Sequence, residues 1–116
     1  MNASQIEERN FFGLFELDDA GTVLYSRVEP DGRSSNGAGA SLTGQNFFKE
    51  IVPCVNGEEL RRRITRFASS EIQADNFIFN CQIENAPLTV RVLLARISER
   101  SNGEKTKSIL VHIRKP

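Results

Sequence analysis

Hydrophobic positions alternate with polar ones near both ends of the chain and recur at helical spacing in its middle. Residues 12–17 and 22–28 are short β-type runs separated by Asp18, Asp19, Ala20 and Gly21. Acidic residues and a glycine between two such runs supply turn chemistry, so the pair is expected to form a hairpin. In residues 76–84, Phe77, Phe79, Cys81 and Ile83 share one face and Ile78, Asn80 and Gln82 the other, which turns the first set inward. Residues 88–97 set Leu88, Val90, Val92 and Leu94 against Thr89, Arg91, Leu93, Ala95 and Ile97. The second face of that strand is not fully polar and calls for partial cover. A turn at 101–104 leads to a last strand over 108–114, where Ile109, Val111 and Ile113 face away from Leu110, His112 and Arg114.

Leu60, Ile64, Phe67 and Ala68 carry the helical period, after an Asn56 with the side chain to cap and a Glu59 three residues on. Glu58 and Glu59 in the first turn suit the helix macrodipole, and Arg61, Arg62, Arg63 and Arg66 occupy other faces as a solvated surface. Ser4 and Glu7 have capping-box spacing and predict a short N-terminal helix over 4–10. Residues 29–43 are rich in Gly, Ser and Pro and read as a loop. Between loop and helix, residues 44–54 pack Phe47, Phe48, Ile51, Val52, Pro53 and Cys54 into one connection. Such apolar density identifies a segment that plugs a core. Hairpin connections make the sheet antiparallel, and the central helical segments must cover one face of it. The expectation is a single α+β domain spanning residues 1–116, with a five-stranded antiparallel sheet, helical segments on one face and the short N-terminal helix.

Fifteen basic and fifteen acidic residues cancel, so no global field favours nucleic acid or an anionic membrane. No stretch has the run of about 18 apolar residues that a membrane span needs, and residues 1–10 do not resemble a secretory signal. A cytoplasmic location is therefore expected, and in such a compartment the two cysteines read as free thiols rather than a structural disulfide. They are too few for a zinc site unless His112 and a carboxylate join them. A Cys54–His112 hydrolase dyad would need both side chains in one cleft, and the strand phase turns His112 away from the core, so no enzyme is expected.

The run Gly44, Asn46, Phe47, Phe48, Pro53, Cys54 resembles the cysteine-bearing segment of the photoactive yellow protein branch of the PAS domains. The order of strands and helices from Phe12 onward is similar too. The resemblance implies the PAS fold, and a hydroxycinnamoyl chromophore (p-coumaric acid) held on Cys54 by a thioester. Tyr25 and Glu29, four residues apart, are its candidate partners for the phenolate, with Arg33 and Thr43 mapping nearby. Counted from Gly13, Tyr25 comes one residue early, and one residue reverses a strand's face, so Ser26 is the alternative occupant. Cys81 stands where the family has an aromatic wall, and Asn85 replaces an apolar neighbour.

Candidate binding residues are therefore Cys54, Tyr25, Glu29, Phe47 and Cys81, with no catalytic or metal-ligating set. Cys54 precedes a helix N-terminus, which lowers a thiol's pKa, but buried cysteines also serve as small hydrophobes. Three functions follow. The first is a sensory domain that holds a small apolar ligand or no cofactor and signals to a protein partner or a second copy. The second is a blue-light receptor carrying p-coumaric acid on Cys54, and the third a redox sensor using Cys54 and Cys81.

Overall fold

The computed structural model describes residues 11–28, 42–84, 86–101 and 104–116, with residues 98–101 and 104–107 described through their backbone alone. The expected N-terminal helix, Glu29, Arg33 and Asn85 lie outside the described residues. Strands β1 (Gly13–Leu17) and β2 (Val23–Val28) form the expected hairpin. A single π-helical turn (Phe47–Ile51) and helix α1 (Gly57–Ala68) follow, then β3 (Ala74–Ile83), β4 (Ala86–Ser101) and β5 (Glu104–Arg114). The strands make one antiparallel five-stranded sheet in the order β2-β1-β5-β4-β3, so β2 and β3 are its edges.

The alternation read from the strands is the alternation of burial. Phe15 and Leu17 of β1, Phe79, Cys81 and Ile83 of β3, Val90, Val92 and Leu94 of β4, and Val111 and Ile113 of β5 all enter the core. Leu60, Ile64 and Phe67 of α1 close over them with Phe47 and Ile51 of the π-turn. His112 lies on the opposite strand phase from the buried Val111 and Ile113, paired in register with Leu14 and Leu93. Gly13 brings β1 against its partner so closely that a Cβ there would stand 2.4 Å from the Arg27 carbonyl oxygen.

The arginines of α1 are exposed as their pattern implies, and the Arg63 guanidinium lies 3.9 Å from the centre of the Phe77 ring. A residue with no signal in the sequence secures the other end of that helix. Arg96 of β4 donates to the carbonyls of Phe67 (2.8 Å), Ala68 (3.1 Å), Ser70 (2.6 Å) and Ile72 (3.2 Å). One cation thus gathers four carbonyls at and just beyond the helix C-terminus, where positive charge is also favoured by the macrodipole. Arg96→Ala should lower unfolding free energy by about 2 kcal/mol, since it removes several charge-assisted hydrogen bonds at once, two of them partly buried. Arg96→Lys should restore less than half of that loss in urea unfolding, because an ammonium cannot span the same fork.

Candidate functional site

The segment predicted to plug the core does so by touching both edges of the sheet. At its start, Val23 N–H donates to the Gln45 carbonyl (2.9 Å), Gly44 N–H to Val23 (2.8 Å) and Phe47 N–H to Gly21 (2.9 Å), which moors it beside β2. Asn46 then builds the π-turn. Its Oδ1 accepts from the amides of Phe48 (3.1 Å) and Lys49 (3.0 Å), while the Glu50 carboxylate accepts from the Asn46 amide. That reciprocal arrangement is a capping box, and it aims Phe47 inward. The Phe47 ring lies 5.0 Å from Phe15 and 5.4 Å from Phe48, and Phe47 is fully buried.

At its far end the segment docks on β3. Val55 N–H donates to the Gln82 carbonyl (2.8 Å), Gln82 N–H to Asn56 Oδ1 (2.9 Å), and Asn56 Nδ2 to the Asn80 carbonyl (2.9 Å). Asn56 therefore precedes α1 as expected, but its side chain makes no cap bond to the helix. The amide serves instead as a surrogate strand residue on the β3 edge, where it finds both a donor and an acceptor.

Between these contacts lies the principal correction to the expectation of free thiols. Cys54 and Cys81 form a disulfide, their Cα atoms 5.1 Å apart, and no free cysteine is present. Composition weighs compartment but is blind to proximity. The alternation of β3 turns Cys81 inward, and the Val55 and Asn56 hydrogen bonds lay Cys54 directly alongside it. Cys81 is fully buried, whereas Cys54 is half-buried and borders a cleft of about 380 Å³ with Phe48, Lys49, Gly57 and Arg61 in its walls.

Tyr25 does not join this group. The β1–β2 register shifts between Glu16 and Leu17, so that Leu17 faces Val23, Glu16 faces Tyr25 and Phe15 faces Ser26. The irregularity puts Val23 and Ser26 on the core side and leaves Tyr25 outward with 48% of its surface exposed. Ser26 Oγ accepts from the Leu42 amide (3.2 Å), so the alternative occupant identified from the register is the one on the inner side. The structure thus brings Cys54 and Cys81 together, buries Phe47 as a core ring and sets Tyr25 apart. The sequence reading passed over the roles of Asn46 and Arg96, and Asn56, read as a helix cap, bridges the β3 edge instead. Only Asn46 carried a local signal, the Glu50 four residues later.

Among the described residues no cluster of His, Cys, Asp and Glu could hold a metal ion, and no helix is long and apolar enough to cross a membrane. No family model matches the chain. Over 83% of its length the chain is 34% identical to the photoactive yellow protein of Rhodothalassium salexigens, and the match spans 75% of that protein. It is 42% identical over 48% of its length to the photoactive yellow protein of Cereibacter sphaeroides, covering 44% of that protein. The photoactive yellow protein domain of the sensor histidine kinase Ppr from Rhodospirillum centenum superposes with a TM-score of 0.56 at 20% identity, over 99% of this chain and 94% of that one. The PAS domain of Bordetella pertussis BvgS gives 0.57 at 11% identity, over 97% of this chain and 82% of that one.

Proposed function

Because the chain belongs to the photoactive yellow protein family of PAS domains, a family of sensory domains, we propose that it is a non-catalytic sensor whose input is the oxidation state of Cys54 and Cys81. The observation that carries this reading is the bond between them. Closing it removes two protons and two electrons from the two thiols, which a low-molecular-weight disulfide accepts as it is reduced to two thiols. The pair sits where a redox event has mechanical consequence, since it fastens the core-plugging segment and the start of α1 to an edge strand. With the bond open, the Val55 and Asn56 hydrogen bonds and the packing of Ile51 and Leu60 remain to hold that junction. The signal leaves through surface contacts with a protein partner or a second copy.

The test is a thiol count across a series of reduced and oxidised glutathione mixtures. Accessible thiols in the monomer should fall by two as the mixture becomes oxidising, reversibly and with one midpoint. A count that stays constant through the series would overturn the redox reading.

A second reading, the blue-light receptor, is favoured by the names of the relatives and by the half-buried position of Cys54 before a helix N-terminus. The residues in their observed arrangement do not fit p-coumaric acid. The sulfur that would carry the acyl group is bonded to Cys81, and the candidate phenolate partner Tyr25 points away from it.

A further inference from the structure

The two sulfurs of the disulfide are not equivalent to a molecule arriving from solution. Cys81 has no exposed surface, while Cys54 opens on the cleft. Thiol–disulfide exchange requires an attacking thiolate to reach one sulfur and expel the other, so access selects Cys54 as the attacked sulfur and Cys81 as the leaving group. The cleft has the chemistry to choose its visitor. Its volume of about 380 Å³ suits a small organic molecule. Lys49 and Arg61 lie in its wall with Glu58, and Glu58 is held by Arg61 at 2.8 Å, which leaves the Lys49 ammonium as the surplus charge. Gly57, the first residue of the twelve-residue helix α1, also lines it and adds the positive end of the macrodipole.

We propose that this cleft is a docking site for a small carboxylate-bearing thiol or its disulfide, and that Cys54 is the residue it modifies. The proposal rests on the redox reading and names the substrate class of that site. In the reductive direction the incoming thiolate forms a new S–S bond to Cys54, the Cys54–Cys81 bond breaks, and Cys81 departs with the electron pair and takes a proton. In the oxidative direction the Cys81 thiolate attacks Cys54 of the mixed disulfide and expels the small thiolate. Cys81 is thus the resolving cysteine, and its complete burial keeps external thiols from it.

The experiment compares oxidised glutathione with cystamine, a cationic disulfide, on the Cys81→Ala variant. Rates of adduct formation by intact mass are each divided by the rate on a free cysteine peptide. Glutathione should be favoured by about threefold at low ionic strength, with the preference fading near 0.5 M salt, as expected for a partly exposed cation. Lys49→Glu should invert it. A ratio equal to the peptide's, or one untouched by Lys49→Glu, would overturn the docking site. As a control on folding, wild-type protein treated with reduced glutathione and quenched with iodoacetamide should carry the mixed disulfide on the Cys54 peptide; finding it on Cys81 would equally defeat the proposal. Since Cys81→Ala has no internal disulfide, the charge preference is measured whether or not the wild-type pair proves reversible, so the two readings fail separately.

Discussion

Reduction of Cys54–Cys81 should lower the stability of the domain by about 3.5 kcal/mol, the entropy of a closed loop of this length in the unfolded chain. The two cysteines are 27 residues apart, and the loop they close holds the whole of α1 and most of β3. In urea the midpoint should move down by about 2 M between non-reducing and reducing buffer, given a slope near 1.5 kcal/mol per molar for a chain of this size. Cys54→Ser should reproduce the shift and be insensitive to reductant. A shift below about 1 kcal/mol would mean that the unfolded chain already keeps the two cysteines close, or that the bond is not closed in the folded protein. Because the unfolded state bears most of the effect, none of the surrounding core contacts needs to change for it to appear.

The other large effect is all-or-none. Incubated with activated hydroxycinnamic acid, the oxidised protein should gain no mass, because a disulfide sulfur is no nucleophile toward an acyl donor. After reduction it should gain one acyl group, lost in Cys54→Ser and retained in Cys81→Ala. Tyr25 lies on the outer face, 48% exposed, so the adduct should absorb in the near ultraviolet as a neutral phenol. A stable yellow product would show that phenolate partners exist, and would favour the light-receptor reading. Acylation of protein kept under non-reducing conditions would instead show that Cys54 is free.

The fold was legible because its signals are periodic. Phe77, Phe79, Cys81 and Ile83 declare their shared face at a period of two, and Leu60, Ile64 and Phe67 declare theirs at a helical period, with no knowledge of partners. The site was legible only in part. Cys54 stood out by its neighbours in sequence, and Cys81 by its strand phase. Their pairing depends on the docking of residues 54–56 against β3, a long-range event carried by the Asn56 amide rather than by any local pattern. Tyr25 illustrates the converse. Its spacing from Gly13 was correct as a count, but a single irregularity opposite Glu16 decides which way it faces, and the sequence holds both outcomes open. Arg96 was passed over because the apolar run of the inward phase stops at Leu94, and the role of the arginine that continues this phase exists only once the end of α1 comes to rest over it.

Helix α1 is consequently held at its two ends by attachments of different kinds. At the C-terminal end stands a guanidinium that grips several carbonyls at once. At the N-terminal end stands a bond that two electrons can open, backed by a handful of hydrogen bonds. Reduction would therefore loosen the N-terminal attachment alone, while Arg96 and the buried Leu60, Ile64 and Phe67 keep the helix on the sheet.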